Sequence, residues 1–249
     1  MGKMPQLSVI IPAYNEEKRL GETLSGLSDY FEASAMDAEV IVVDDGSVDG
    51  TRCLAEEKCA KYPWLKVIAY TENRGKGHAV RTGIAEASGE VLLFFDADAS
   101  TPIEEIEKVL PLIKKGADVV IGSRSLPNSD VRVHQPWYRE TMGRVFNLFV
   151  HWIVLDGFVD TQCGFKAFRH KAAKEIFALQ RMSGFSFDVE LLVIARILGY
   201  TIRETPVVWV NSPMSRVHPV WDSLKMLMEL MKIRSNRIMG RYGRMGLSP

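Results

Sequence analysis

The chain of 249 residues is 47% hydrophobic and 25% charged, which is typical of one or two folded domains and unlike a disordered chain. Lys and Arg number 31, as do Asp and Glu, so no overall charge favours nucleic acid as a partner. The charge is unevenly distributed, because residues 216–249 hold seven basic and two acidic residues. That segment carries +5 and residues 1–215 carry −5, which suits a partner that touches only the C-terminal segment.

The cysteines and the hydropathy indicate the compartment. Cys53, Cys59 and Cys163 are odd in number and lack the paired spacing of a zinc site, which favours free thiols in a reducing compartment. The N-terminus shows no basic start, apolar stretch and cleavage site of a signal peptide. The densest apolar run, residues 145–155, is about half the ~20 residues that a spanning helix needs. We therefore expect a cytoplasmic protein that is not secreted and has no transmembrane helix.

The first half of the chain alternates short apolar runs with stretches of helical periodicity. Strands are predicted at residues 7–12, 39–43, 65–70, 91–95 and 118–121. Helices are predicted at residues 16–31, 50–61, 77–87 and 102–115, the last with Pro102 in its first turn and Thr101 as its cap. Because the strands are continuously apolar, we expect helices on both of their faces. The pattern predicts a doubly wound, mostly parallel α/β sheet that binds ligands at the carboxyl ends of its strands.

The second half is less regular and is expected to elaborate the same domain. Its predicted elements are a loop at residues 126–136, a helix at 137–155, a strand at 160–168, a helix at 187–198, a strand or hairpin at 201–210 and a last helix at 219–239.

Two carboxylates follow the fourth predicted strand, in the segment Asp96-Ala97-Asp98. Residues i and i+2 of an extended segment point the same way, so both carboxylates can face one ligand. A divalent cation between them relieves their repulsion, and oxygen ligands without His or Cys favour Mg²⁺ or Mn²⁺. The alternative is a solvated turn whose aspartates cap the following helix.

Polar residues also follow the other early strands. Asp44-Asp45-Gly46-Ser47 can accept hydrogen bonds from ribose hydroxyls or a base, or can form a turn and helix cap. A third segment combines glycines, two cations and a helix N-terminus, in Asn73-Arg74-Gly75-Lys76-Gly77-His78. This combination suits the binding of phosphate, and the alternative is a simple strand-to-helix turn. With a further polar group at Tyr14-Asn15-Glu16, the strand ends together predict a nucleotide site.

These segments resemble the ordered motifs of family 2 glycosyltransferases with the GT-A fold. The motifs are Pro12-Ala13-Tyr14-Asn15-Glu16, Val42-Val43-Asp44-Asp45-Gly46-Ser47, Asn73-Arg74-Gly75-Lys76-Gly77 and Asp96-Ala97-Asp98. Three later segments resemble the polyprenyl- and dolichyl-phosphate branch, and the second is most similar to dolichyl-phosphate β-glucosyltransferases. They are Gly122-Ser123-Arg124, Asp160-Thr161-Gln162-Cys163-Gly164-Phe165-Lys166 and Ser186-Phe187-Asp188-Val189-Glu190. The resemblance implies a GT-A domain at residues 1–217, followed by a basic amphipathic helix and tail at 218–249.

The resemblance implies an inverting transfer of a hexose from a nucleotide diphosphate to a lipid phosphate. UDP-glucose is the implied donor and polyprenyl or dolichyl phosphate the implied acceptor, with GDP-mannose as the alternative donor. Mannosyl relatives often have Gln two residues after the second aspartate of this motif. That position is Ser100 here, which weakens the mannosyl interpretation and leaves metal coordination at that point open.

The resemblance and the strand-end pattern together assign roles to individual residues. The residues expected at the nucleotide sugar are Pro12, Ala13, Tyr14, Glu16, Asp44, Asp45, Arg74, Lys76, Asp96, Ala97, Asp98 and Arg124. Asp96 and Asp98 are the expected ligands of Mg²⁺ or Mn²⁺. The residues expected at the acceptor phosphate are Arg139, Gln162, Lys166 and Arg216, and those expected in catalysis are Asp98, Arg124, Asp160 and Glu190.

The acceptor decides whether a base is needed. A lipid phosphate is already ionised, so cations and a metal ion that stabilise the departing diphosphate suffice. A soluble hydroxyl acceptor is an alternative that would need a general base, with Asp160 or Glu190 as candidates, although Glu190 could instead pair with a buried arginine. A non-catalytic nucleotide-binding adaptor is a further alternative, which the intact aspartate pair disfavours.

Two predicted helices carry apolar faces beside basic residues. Such helices lie in the membrane interface or pack in a core or dimer. For residues 137–155 both interpretations stay open. For residues 219–239 we expect a peripheral membrane surface, because the charge of that segment is so one-sided.

Overall fold

A central sheet with helices on both faces organises the chain. The computed structural model describes residues 4–133, 137–211 and 219–243, with side chains except at 137–140 and 219–224. The strands are β1 (Leu7–Ala13), β2 (Ala38–Asp45), β3 (Leu65–Tyr70), β4 (Val91–Phe95), β5 (Val119–Ser123), β6 (Asp130–Val133), β7 (Phe165–Arg169), β8 (Ile202–Pro206) and β9 (Val208–Val210). The helices are α1 (Leu20–Ser34), α2 (Thr51–Lys61), α3 (Lys76–Glu86), α4 (Ile106–Lys114), α5 (Trp137–Ile153), α6 (His170–Leu179), α7 (Phe187–Ile197) and α8 (Pro219–Ile238), with a 3₁₀ turn at Ile103–Glu105.

The main sheet has the order β3-β2-β1-β4-β7-β5-β8, and β6 pairs with β9 in a separate two-stranded sheet. Neighbours in the main sheet are parallel except around β7, which runs antiparallel to β4 and β5. The register places Ala13 beside Asp44 and Asp45 beside Tyr70, so the polar strand ends meet at one edge. The predicted α/β class and mostly parallel sheet are confirmed.

The strands of the main sheet separate two hydrophobic clusters. Successive residues of β1 point to opposite faces, so Ile10 joins one cluster, whereas Val9 and Ile11 join the other. All seven residues of β1 are buried, as expected for a strand covered on both sides. The sheet is therefore a rigid base for the loops at its carboxyl edge.

The second half departs from the sequence prediction at several points. The predicted loop at 126–136 contains β6, and α6 follows β7 where no helix was predicted. The prediction of a strand or hairpin at 201–210 is confirmed for the strands, whereas the hairpin is wrong, because β8 pairs with β5 and β9 pairs with β6. The helix predicted from Pro102 begins with the 3₁₀ turn, and no side chain caps that turn by a hydrogen bond.

Helices α5 and α8 pack against each other, and each buries one face. Phe146 and Val150 of α5 join the same cluster as Leu230 and Ile233 of α8. The opposite faces are exposed, with Trp152 at 83% exposure. Within the described ranges, no helix is both long enough and apolar enough to cross a bilayer.

Candidate active site

The carboxyl end of β2 presents two buried aspartates. Asp45 accepts hydrogen bonds from the backbone N–H groups of Arg74 (2.8 Å) and Gly75 (2.9 Å), in the loop before α3. Burial raises the pKa of Asp45, although these hydrogen bonds oppose the shift. Asp44 accepts a longer hydrogen bond from the N–H of Ser47 (3.3 Å). Asp45 therefore fixes the loop that carries Arg74.

The turn after β1 lies beside this pair. Pro12 and Ala13 are buried at the end of the strand, and Tyr14 is exposed. Asn15 has a φ of +56°, and its backbone N–H donates to Ser47 Oγ at 2.8 Å. The turn after β1 is thus joined to the loop after β2, with the aromatic ring of Tyr14 at its surface.

Arg19 connects the first strand end to the fourth. It donates two hydrogen bonds to the Glu16 carboxylate, from Nε (2.7 Å) and Nη2 (2.6 Å). Its Nη1 lies 3.5 Å from Asp98 Oδ2. The guanidinium therefore draws Glu16 and Asp98, which belong to two separate motifs, into one cluster.

Asp96 lies between a lysine and a glycine. Lys76 Nζ is 2.7 Å from Asp96 Oδ1 and 5.0 Å from the centre of the Phe94 ring. Burial lowers the pKa of Lys76, but the charges of Asp96 and Asp188 outweigh it and raise the pKa. A side chain at Gly164 would overlap the Asp96 carboxylate, so this carboxylate needs glycine opposite it.

The β4 end fits a hard divalent cation. Asp96 and Asp98 supply only oxygen atoms, and their side chains are 31% and 22% exposed. No group of three or more His, Cys, Asp or Glu side chains among the described residues could hold a metal ion. An ion here would therefore take its other ligands from water and from phosphate oxygens, as Mg²⁺ commonly does. Ser100 is buried and donates its backbone N–H to Asp98 at 3.1 Å.

Arg124 and Asp160 form a double hydrogen-bonded ion pair. The guanidinium donates from Nε (2.7 Å) and Nη2 (2.8 Å) to the two carboxylate oxygens, and the backbone N–H of Arg124 donates at 3.0 Å. Burial raises the pKa of Asp160, but Arg124 lowers it to about 2. The pKa of Arg124 is raised overall, because the negative charges of Asp160 and Asp96 outweigh the effect of burial, which lowers it. The guanidinium is therefore permanently charged, held in place, and within the field of Asp96.

Lys166 is fully buried, unlike the phosphate contact expected from the sequence. Its Nζ donates to Asp188 Oδ1 and to the Cys163 carbonyl, both at 2.5 Å, and lies 5.8 Å from the centre of the Phe94 ring. Burial raises the pKa of Asp188, although the charge of Lys166 opposes the shift. The ammonium group lies beneath the β4 end, where its hydrogen bonds stabilise the loop before β7.

Glu190 is also fully buried. Its carboxylate accepts hydrogen bonds from the backbone N–H groups of Arg181 (3.0 and 3.1 Å) and Met182 (2.7 Å) and from the Tyr242 hydroxyl (2.6 Å). Burial raises the pKa of Glu190 against these hydrogen bonds. The carboxylate joins the loop before α7 to the end of the described chain, and no arginine side chain in that part of the chain forms an ion pair with it.

The remaining residues expected at the acceptor lie partly outside the described structure. The backbone N–H of Gln162 donates to Asp160 at 3.2 Å, which places it beside the ion pair of Arg124. The side chain of Arg139 and all of Arg216 lie outside the described residues.

Three residues near the site were not predicted from the sequence. Arg19 lies immediately before α1 and falls within the helix predicted at residues 16–31, where a single arginine carries no functional signal. The Trp209 ring lies under the Arg124 guanidinium, and its centre is 5.5 Å from Arg124 Cζ. Glu204 accepts hydrogen bonds from the backbone of the loop before β7, including the N–H of Asp160 at 3.1 Å. Glu204 and Trp209 lie 80 and 85 residues after Arg124 in the sequence, and no local pattern connects them to it.

Comparison with known proteins identifies the family. The family model described as glycosyl transferase family 2 matches residues 8–177. The dolichyl-phosphate β-glucosyltransferase of Homo sapiens is 36% identical over 254 residues, covering 95% of this chain and 77% of that protein. The protein of the same name from Saccharomyces cerevisiae is 34% identical over 254 residues, covering 95% and 76%.

Solved structures show the same fold. Glucosyl-3-phosphoglycerate synthase from Mycobacterium tuberculosis, in complex with Mn²⁺, UDP and phosphoglyceric acid, has a TM-score of 0.69 and 21% identity, covering 96% of this chain and 79% of that chain. A structure of that enzyme with Mn²⁺, UDP-glucose and phosphoglyceric acid has a TM-score of 0.69 and 20% identity, covering 94% and 79%. The expected GT-A fold is confirmed.

The family match excludes the non-catalytic adaptor as an interpretation of this chain. The matched region contains the strand ends that carry the aspartates, Lys76 and Arg124. Because the family model covers more than half of the chain and the relatives align over most of it, this chain belongs to glycosyl transferase family 2 and is a glycosyltransferase.

Proposed function

We propose that this glycosyltransferase transfers glucose from UDP-glucose to a polyprenyl or dolichyl phosphate, with inversion at the anomeric carbon. The names of the relatives support the lipid phosphate and the glucosyl group. The UDP-glucose complex of the solved neighbour supports the donor. Ser100, in place of the glutamine of mannosyl relatives, supports glucose over mannose.

The observation that carries the proposal is that both candidate bases are already engaged. Asp160 has a pKa of about 2 and binds Arg124 through both oxygens, so it is a poor proton acceptor near neutral pH. Glu190 is enclosed and accepts hydrogen bonds from the protein at both oxygens. A hydroxyl acceptor would need one of them, whereas an ionised phosphate acceptor needs neither.

In this proposal the nucleoside binds between the ends of β1 and β2. The exposed Tyr14 ring stacks on the base, Glu16 and Asp44 accept hydrogen bonds from the nucleoside, and Pro12 and Ala13 line the site through their backbone. Asp45 positions the loop that carries Arg74 and Lys76, because its oxygens already hold the N–H groups of that loop.

Charge stabilisation by fixed cations then drives departure of the diphosphate. Asp96 and Asp98 would hold Mg²⁺ or Mn²⁺, which supplies positive charge to the diphosphate oxygens. Lys76, held by Asp96, and Arg124, held by Asp160, present cations whose positions cost no reorganisation during the reaction. Gln162, beside that ion pair, and Arg139 and Arg216 remain our candidates for the acceptor phosphate, whereas Lys166 acts through Asp188 as a positioning residue.

We further propose that α5 and α8 bind the surface of the membrane that holds the acceptor. Exposed apolar side chains on these helices are Val145, Leu148, Phe149, Trp152, Met228, Met231 and Ile238. Basic residues on the same helices are Arg144, Lys225, Lys232, Arg234 and Arg237, which favour anionic lipid. Cys53, Cys59 and Cys163 are free thiols, which supports placement at the cytoplasmic face.

Vesicle sedimentation tests the membrane surface. We expect Trp152→Glu to reduce binding to vesicles that contain anionic lipid. Val48→Glu is the control, because Val48 has a similar exposure, 86% against 83%, on the loop after β2. Equal sedimentation of both variants and the unmodified protein would place the membrane surface elsewhere.

Donor discrimination tests the reaction. Purified protein is incubated with Mn²⁺ or Mg²⁺, detergent-solubilised polyprenyl phosphate, and either labelled UDP-glucose or labelled GDP-mannose, and the label in the organic phase is counted. We expect lipid-borne glucose from UDP-glucose alone. Lipid-borne mannose from GDP-mannose would change the proposed donor but keep the proposed acceptor. Transfer of sugar to a soluble alcohol without any lipid product would refute the phosphate acceptor.

A further inference from the structure

A second cationic cleft lies beside the proposed donor site. It has a volume of about 370 Å³ and opens between the β3–α3 loop, the α6–α7 loop and α8. Its charged lining residues are Arg74, Arg181, Lys225, Lys232 and Glu229. Their side-chain charges sum to +3. Arg74 is also among the residues expected at the nucleotide sugar, whereas Asp96, Asp98 and Arg124 are not part of the lining.

Hydrogen bonds within the protein hold the two loops of this cleft together. The backbone N–H of Gly77 donates to the Ser183 carbonyl at 2.8 Å. Gln180 Nε2 donates to the carbonyls of Gly77 (2.8 Å) and Met182 (2.7 Å). Gly75 has a φ of +96°, and a side chain there would collide with the Ser183 carbonyl. The two loops therefore form fixed walls, and α8 is the third.

Glu229 offsets one of the four positive charges of the cleft, and the described part of the chain offers the cations no ion pair. No carboxylate there forms an ion pair with any of the four cations. Arg74 lies over the Tyr70 ring at 5.3 Å, and Arg181 Nη2 donates to a backbone carbonyl at 3.4 Å. Glu229 accepts the N–H of Ser186 at 3.4 Å, at the start of α7. Four cations around one small volume repel each other, and a multiply charged anion would remove that repulsion.

We propose that this cleft binds a phosphate group of a ligand other than the sugar donor. Two arginines offer forked donors that match phosphate oxygens, and two lysines add charge from one face of α8. The phosphate belongs either to a soluble diphosphate or to the headgroup of an anionic phospholipid. Exposed Met228 and Met231 on α8 lie beside the two lysines in sequence, which makes a lipid source compatible with the site.

Calorimetry with inorganic pyrophosphate in EDTA tests the site without involving metal at the donor site. We expect Arg181→Gln to weaken pyrophosphate binding about tenfold or more, the loss of one charge-assisted contact. Arg196→Gln is the matched control, because Arg196 also donates to a backbone carbonyl (2.7 Å) but lies on α7, outside the lining of the cleft and outside α5 and α8. Lys232→Gln, at an exposed position of α8, is a second test, and thermal unfolding checks that each variant is folded.

A parallel arm identifies the source of the phosphate. Phosphatidylcholine vesicles with and without phosphatidic acid are sedimented with the same variants. A larger loss of binding for Arg181→Gln than for Arg196→Gln with phosphatidic acid alone assigns a lipid headgroup, and a larger loss with pyrophosphate alone assigns a soluble ligand. Equal binding of both probes by Arg181→Gln and Arg196→Gln, or no binding of either probe by the unmodified protein, would overturn the proposal.

Discussion

Replacing Asp160 by Asn removes the charge that holds Arg124 and keeps the size of the side chain. Asn has an NH₂ donor in place of one acceptor oxygen, so the pair of hydrogen bonds from the guanidinium to two separate oxygens is lost. The Asp160 side chain is 6% exposed, so solvent replaces little of the lost interaction. We expect the variant to lose both stability and the fixed position of the Arg124 guanidinium.

The size of the stability loss follows from the pKa of Asp160. Its ordinary value is 3.8 and its value in the folded chain is about 2. Because the folded pKa is lower, the ionised carboxylate stabilises the fold above pH 3.8, and this contribution is lost as the pH falls from 3.8 through 2. The shift corresponds to about 2.5 kcal/mol at pH 7 and about half of that at pH 3.

Urea unfolding of Asp160→Asn and the unmodified protein at pH 7 and pH 3 measures this contribution. Asp130→Asn is the control, since Asp130 and Arg132 form an exposed pair at 2.8 Å. We expect the control to change the free energy of unfolding by less than about 0.5 kcal/mol. Sugar transfer by Asp160→Asn should fall about 100-fold, because Arg124 is no longer positioned. The reasoning would be refuted if Asp160→Asn had a free energy of unfolding within 1 kcal/mol of the unmodified protein at pH 7 and transferred sugar at the full rate.

Three further substitutions separate catalysis from stability. Asp98→Ala should abolish transfer while the free energy of unfolding changes by less than about 1 kcal/mol, and near-normal transfer would remove Asp98 from the metal site. Burial raises the pKa of Glu39, but hydrogen bonds, first of all from Lys66, lower it from 4.5 to about 2. Glu39→Gln should therefore lose about 3 kcal/mol at pH 7, and urea titrations should show the difference disappearing as the pH falls from 4.5 to 2. Glu190→Gln should keep more than a tenth of the transfer rate, whereas loss of a general base would cost about 100-fold or more.

The first half of the fold was predictable because its information is local. Each of the first five strands is a mostly apolar run, and each predicted strand lies within two residues of the observed one at either end. The antiparallel insertion of β7 between β4 and β5 was not predictable, because strand pairing depends on residues more than 40 positions apart. The short β6 and β9 are stabilised by each other, and neither has a strong pattern of its own.

The order of motifs identified the family, because each motif is a run of adjacent residues. The same motifs predicted that the donor site and its aspartates lie at the carboxyl edge of the sheet. Tertiary structure decided which charged groups remain available to a ligand. Arg124 and Lys166 are both cations in family motifs, yet Arg124 is partly exposed and Lys166 is sealed beneath the sheet edge by Asp188. The sequence alone does not distinguish them, because burial and pairing depend on distant segments that meet only in the folded chain. For the same reason, the sequence alone does not show that Glu190 is enclosed or that Arg74, Arg181 and α8 surround one cleft.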